Sequence, residues 1–182
     1  MTMKTWAQLE AGWAATPAPP VGKGTVQVIC LRLGDGKHRT VSEAVVTVEG
    51  GIEGDRWAKG KERPLDAQVT LMNAAVADLI AHTGKAGYEA GDNLYVDLDL
   101  SEAALPVGTR LRLGTALLEV TPEPHTGCKK FRARFGLEAV KWVNAPEHKV
   151  LRLRGVNCRV VEGGMVQVGD GVEVSDDEYG PG

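Results

Sequence analysis

The sequence predicts a mostly β domain, a closed or partly open β-barrel with a few peripheral helices. Three observations predict it. Short, β-branched, partly alternating segments follow one another, separated by turn residues. Regular helices do not intervene between them, which argues against a doubly wound parallel sheet. Glycine is abundant, 23 of 182 residues, while aromatics make up only 5%, a balance that favours many turns.

The elements follow in order. Trp6, Leu9 and Trp13 recur at helical spacing within 3–16, and Pro17-Ala-Pro-Pro20 ends that helix. Residues 1–22 therefore form an extension, with the two tryptophans as packing anchors. Gly24 to Leu33 is a strand containing Cys30, and Gly34-Asp-Gly36 is a turn. A second strand is expected over 39–49. The glycines of Gly50-Gly-Ile-Glu-Gly54 signal tight or left-handed backbone just before Asp55 and Arg56. Residues 59–63 are a charged loop, and 68–72 a short strand. Asn73 to Thr83 is the clearest helix, with Asn73 as N-cap, Gly84 as stop and His82 as a surface residue near its C-terminal end. Gly91 to Asp97 turns into a strand. Strands at 109–113 and 116–121 form a hairpin about Gly114-Thr115. Two prolines keep 122–127 irregular, a helical turn follows from Cys128 to Phe135, and a second short helix spans 137–144. The end reads as a hairpin turning at Gly163-Gly164, then a strand to Val174. Residues 23–174 thus form the barrel domain, and 175–182 an acidic tail expected to be disordered.

Bulk properties exclude several function classes. The length suits one domain of ~100–200 residues. A net charge of −3 gives no basic surplus for nucleic acid. No apolar run approaches the ~18 residues a spanning helix needs, and Gln8 and Glu10 interrupt any signal-peptide core. The reading is a cytoplasmic protein that binds neither membrane nor nucleic acid. No Walker loop, dinucleotide glycine motif or HExxH is present.

The candidate chemistry lies with cysteine. Cys30, Cys128 and Cys158 are an odd set without zinc-finger spacing, which argues against disulfides. Cys30 sits inside a strand. Cys158 shares one strand face with Val156 and Val160, so both read as core. Cys128 differs. It opens a helical segment, His125 precedes it, and Lys129, Lys130, Arg132 and Arg134 follow. Cationic neighbours and a helix N-terminus favour thiolate, the form that attacks sulfur or ligates metals. The alternative is a cysteine that merely lies in a basic loop. Lys129, Lys130, Arg56 and Arg132 would together suit a phosphate, or be a solvated charged face. His125 could orient the thiolate or a ligand, or be an ordinary surface residue. Asp55 and Asn93 could point into a cleft, or be turn residues bonded to local backbone.

Several segments in order carry a resemblance: Gly54-Asp-Arg56, Gly91-Asp-Asn-Leu94, Val107-Gly108, Leu111-Arg-Leu-Gly114, Glu119-Val-Thr121, Gly127-Cys-Lys129, Gly155-Val156 and Val168-Gly-Asp170. From about 24 to 174 the chain resembles a MOSC domain, named for the C-terminal part of molybdenum-cofactor sulfurases. Asp92 stands where the family segment carries glutamate, and His-Thr-Gly precedes the cysteine instead of the commoner proline- or arginine-bearing version.

The resemblance implies a barrel of the pyruvate-kinase type. It implies a cysteine, Cys128 here, that carries sulfur or ligates molybdenum. It also implies binding of molybdopterin, whose phosphate gives the basic residues a purpose. The cofactor-binding set would be Asp55, Arg56, Asn93, His125, Thr126, Lys129, Lys130 and Arg132. Standalone bacterial members resemble proteins linked to reduction of N-hydroxylated compounds. Members fused to a pyridoxal-phosphate desulfurase act in cofactor sulfuration. A cysteine desulfurase as sulfur donor or an electron-transfer protein would be the partner. A non-catalytic barrel holding another anion is the remaining alternative.

Overall fold

Strand β1 (Lys23–Gly34) is the longest, and the architecture follows from how it is shared. In the computed structural model, which describes residues 2–176, its start pairs antiparallel with β11 (Gly171–Val174). Its middle pairs with β6 (Leu94–Asp97) and its end with β2 (Lys37–Val41). The wall continues from β6 through β5 (Val69–Asn73), β9 (Val156–Glu162) and β8 (Ala116–Val120) to β7 (Arg110–Leu113), which meets β11. Seven strands therefore close a barrel, and β2 hangs outside it. A small second sheet joins β10 (Gly164–Gln167), β3 (Glu43–Thr47) and β4 (Gly51–Ile52). The predicted barrel is what forms.

A register shift between Val26 and Val28 lets β1 serve two layers. Before it Val26 faces the barrel interior. After it Ile29 and Leu31 do, while Val28 and Cys30 face outward. One extra residue reverses the parity of a strand in this way. The interior is filled by apolar side chains, among them Leu71, Leu94, Leu111, Leu118, Val156 and Cys158. A small barrel so filled leaves no ligand space at its centre, so a site has to lie at the rim.

The helices cover one outer face. α1 (Trp6–Ala15), α2 (Ala74–Ile80) and α3 (Lys129–Val143) bury Leu9, Val76, Phe131, Phe135 and Trp142 against Cys30, Met72 and Tyr95. A reciprocal Thr5–Gln8 box caps α1, whose Glu10 accepts from Trp142 Nε1 at 2.5 Å. Trp6 stacks on His148 and Trp13 meets Trp142 edge-on, so both tryptophans are anchors as expected. α3 bends at Gly136, whose φ of +92° separates the two helical segments read from the sequence. A single turn of helix, α4 (Pro146–Lys149), follows it.

Three expectations need correction. The strand expected over 39–49 is two strands, and the chain leaves β2 for the second sheet at Ser42, whose carbonyl accepts from Val168. Gly163-Gly164 is not a hairpin turn. β10 pairs with β3, because the chain at Gly164 passes tightly over Thr115, and a Cβ there would lie 2.5 Å from the Thr115 carbonyl carbon. α2 ends at Ile80, since His82 and Lys85 pair backbone to backbone and turn the chain at Thr83-Gly84. His82 is consequently half-buried, its Nε2 bonded to the Arg134 carbonyl at 2.8 Å. The Asn73 cap holds: its side chain accepts from Ala75 and Val76. Of the expected acidic tail, residues 177–182 lie outside those described.

Gly155 opens β9 with a φ of +109°, and a Cβ there would lie 2.1 Å from the Leu71 carbonyl oxygen. Both the left-handed backbone and the close approach demand glycine. Gly155→Ala should lower stability by about 3 kcal/mol or more, read from the denaturant midpoint. A loss below about 1 kcal/mol, the size of an ordinary mutation, would contradict the packing described.

Candidate functional site

Several segments end at one rim of the barrel: the β1–β2 hairpin, the turn before β6, the loop from β8 to α3, and the residues leading into β9. Asp92, in the turn before β6, ties three of them together. Its carboxylate has no solvent exposure. His125 Nε2 donates to Oδ1 at 2.5 Å, and Arg154 Nη1 donates to Oδ2. Arg154 also donates to the Ala90 carbonyl at 3.1 Å and lies over the Phe131 ring at 5.1 Å. The Asp92 amide donates to Tyr95 Oη, which in turn donates to the Tyr88 carbonyl.

Burial alone would raise the Asp92 carboxyl. Arg154 and His125 outweigh it and hold the group well below the usual carboxylate range. Burial pushes His125 down, and Arg154 adds to this against the pull of Asp92. The ring is therefore neutral at pH 7. A carboxylate can only accept, so the proton sits on Nε2 and the contact is a hydrogen bond to a neutral imidazole. Nδ1 is an acceptor with no partner among the described residues.

A second network stands behind the first. Asp55 follows the left-handed Gly54 and caps a 3-10 turn at Arg56–Lys59 by accepting from Trp57 N at 3.0 Å. It also accepts from the Arg32 amide and guanidinium, at 2.8 Å each. Burial opposes the Asp55 carboxylate, but Arg32 outweighs it and lowers the pKa. Asn93 Nδ2 donates to Asp55 at 2.9 Å, while its Oδ1 accepts from Thr70 N. This clamp orients Arg32 toward the rim.

Cys128 is the N-cap of α3, exposed where Cys30 and Cys158 are buried. Burial pushes those two thiols up, to about 11 and about 12. Partial burial also raises Cys128, but the amides of Phe131 and Lys130, followed by the Arg154 charge, outweigh it and lower its pKa. The thiol makes no formal capping hydrogen bond. The effect is that of the helix N-terminus and its unpaired N–H groups.

Cys128 opens on a cleft of about 240 Å³. Arg32, Lys37, Arg56, Lys130, Arg134 and Arg154 line it, with His38, His125 and Thr126, and among the described residues no carboxylate side chain does. Two buried nitrogens in this lining, His38 Nδ1 and Arg154 Nε, have no hydrogen-bond partner among the described residues. Burial, then the Arg134 charge, lower the His38 pKa. A larger cavity of about 450 Å³ adjoins, but no cysteine lines it, so thiolate chemistry belongs to the smaller cleft.

The residues expected from sequence divide into three sets. Arg56, His125, Thr126, Cys128 and Lys130 meet in the cleft. Asp55 and Asn93 are buried behind its wall and face other protein groups. Lys129 and Arg132 are exposed on α3 outside the lining. Sequence reasoning missed Arg32, Lys37, His38, Arg134 and Arg154 as cleft residues, and the central role of Asp92. Arg154 carried a signal, a charge wedged between a core leucine and a glycine at the mouth of an apolar strand.

The Asp92 network sets a pH dependence. Its carboxyl is held below its unfolded value, so the stability it contributes is present above about pH 4 and lost as pH falls through the folded value. Asp92→Asn leaves Arg154 buried without its counter-charge and should cost about 3–5 kcal/mol at pH 7. The variant should also lose part of the wild-type destabilisation below pH 4. Denaturant midpoints from pH 7 to pH 2.5 measure both. Parallel wild-type and variant curves would contradict the assignment.

The fold accords with solved structures. No curated protein matches the chain. Among solved structures, one of a hypothetical protein superposes with a TM-score of 0.61 at 22% identity, covering 85% of this chain and 68% of the other. YiiM from Escherichia coli gives 0.59 at 21%, covering 86% and 72%. YuaD from Bacillus subtilis gives 0.55 at 18%, covering 86% and 98%. At these identities the likeness is one of fold. The profile of the MOSC domain matches residues 64–173, more than half of the sequence and the segment that holds Asp92, Cys128 and Arg154. The protein belongs to the MOSC domain family.

Proposed function

We propose that this domain binds an anionic molybdenum cofactor, with Cys128 as the protein's ligand to the metal. The observation that carries the reading is the setting of Cys128: a thiolate-favouring helix start on a cleft walled by cations, with no carboxylate side chain among the described residues that line it. MOSC domains are often related to the molybdenum cofactor, and the residues present fit such a group. Arg154 Nε, a buried donor, and the buried His38 Nδ1 have no hydrogen-bond partner among the described residues and could bond such a group. No cluster of three or more His, Cys, Asp or Glu among the described residues could hold a metal alone. Cys128 would supply one soft ligand, and the cofactor would supply the others.

Each group of the chain has a task in this reading. Arg56, Lys130 and Arg134 hold the anionic end, while Arg154 and His125 line the inner wall beside Cys128. Asp92 fixes both of those and keeps the imidazole proton on Nε2, so Nδ1 can accept a proton or hydrogen bond. The cofactor, when bound, would supply two-electron redox chemistry of the kind that reduces N-hydroxylated compounds. The chain carries no haem, flavin or iron–sulfur motif, so a separate electron-transfer protein would deliver electrons.

The exposure of Cys128 favours a second reading, a sulfur carrier served by a cysteine desulfurase. The Cys128 thiolate would attack the outer sulfur of the donor's persulfide. A new S–S bond would form, and the donor cysteine would leave as thiolate.

Protein produced in cells with an intact molybdenum-cofactor pathway separates the readings. The first predicts equimolar molybdenum, lost in Cys128→Ser and weakened roughly tenfold or more per charge in Arg56→Ala and Lys130→Ala, about 1.5–3 kcal/mol each. The second predicts no molybdenum but cyanide-labile sulfur absent from Cys128→Ser. Wild-type protein with neither, or a variant that keeps either in full, would overturn the assignment of Cys128.

A further inference from the structure

The larger cavity, of about 450 Å³, shares His125, Thr126 and Arg154 with the Cys128 cleft and otherwise has its own walls. Its volume is that of a small-molecule site. Val107, Val143 and Val156 supply apolar surface, and Val107 remains 54% exposed. Asn157 anchors one wall by donating to the Glu123 carbonyl at 3.1 Å.

The informative residue is Arg152. Its φ of +50° lies where residues other than glycine seldom sit. Such backbone persists only when its surroundings enforce it, and it concentrates at functional sites. Nη1 donates to the Leu105 carbonyl at 2.6 Å and more weakly to Leu100, which fixes the plane of the guanidinium. The rest of the fork makes no hydrogen bond among the described residues, and no carboxylate lies within ion-pair distance. Burial lowers its pKa, and the more distant Glu102 is the main opposing charge. Glu102 and Glu123 line the same cavity but are exposed, where water screens them. Lys149, exposed on the same wall, adds a cation with no ion-pair partner among the described residues. A half-buried arginine held at one edge and open at the other is a receptor for an oxyanion.

We propose that this cavity is a second ligand site. It takes a small molecule with an apolar body and one oxyanion, a carboxylate or a phosphate. The oxyanion sits on Arg152 and Lys149, the body packs on Val107, Val143 and Val156, and the far end reaches His125 and Thr126. Only the use of this ligand as a substrate for chemistry at Cys128 rests on the function proposed above. The binding itself does not.

Calorimetric titration of the full-length protein with 3-phenylpropionate and with phenyl phosphate tests the site and tells the two oxyanions apart. At least one probe should bind with one-to-one stoichiometry. Arg152→Met should weaken it about tenfold or more, the worth of a charge-assisted pair, and the exposed Lys149→Ala should weaken it measurably without threatening the fold. Cys128→Ser should leave it unchanged, and Arg152→Met should keep whatever molybdenum or labile sulfur the wild type carries. Binding of neither probe, or equal binding by wild type, Arg152→Met and Lys149→Ala, would overturn the proposal. So would loss of binding in Arg56→Ala and Lys130→Ala instead, or loss of molybdenum in Arg152→Met, since the cavity would then belong to the Cys128 site.

Discussion

The site depends on one buried carboxylate. Asp92 has no exposure, so it can exist ionised only beside a matching charge and donors, and Arg154 and His125 supply them. Such a pair need not add to net stability, because taking both charges out of water is costly. Its effect is positional. It joins the turn before β6, the loop ahead of α3 and the entry to β9, three segments distant in sequence. Arg154 then lies over Phe131 in the first turn of α3, the turn whose amides favour the Cys128 thiolate. The charge that neutralises Asp92 thus also acts on the cysteine.

The barrel makes this arrangement necessary. Its interior is filled with Leu, Val and Ile, so no ligand can enter it. Polar residues that would be lethal to that core gather at the rim, where strands end and loops begin. Asp55, Asn93 and Thr70 form one clamp there and Asp92, Arg154 and His125 the other. The first steadies Arg32 and the second steadies Arg154, so the cleft receives cations whose counter-charges stay out of it. Local excess of positive charge in a chain of net charge −3 arises this way.

Much of the fold was legible in the sequence because barrel strands are short, alternating and bounded by glycine. β1, the β7–β8 hairpin, the Asn73 cap and the broken helix around Gly136 all followed from local pattern. The switches between sheets did not. The strand over 39–49 divides at Ser42, and β10 leaves β9 at Gly164, because of contacts with Val168 and Thr115 that no local window contains. The site shows the same division. Cys128, Lys130 and His125 lie close in sequence and announced themselves together. Arg154 lies 62 positions from Asp92, and their pairing is a product of the closed wall. Asp55 and Asn93 follow glycine turns, but what they face is protein.

The first turn of α3 and the Arg154 charge favour the Cys128 thiolate. Ultraviolet absorbance of the thiolate, titrated against pH in wild type and in Cys128→Ser, measures that directly. The difference curve should show a midpoint below the ordinary cysteine value of about 8.5, while Cys30 and Cys158 stay silent until far higher pH. A Cys128 midpoint at or above the ordinary value would show that neither the helix start nor Arg154 favours the thiolate.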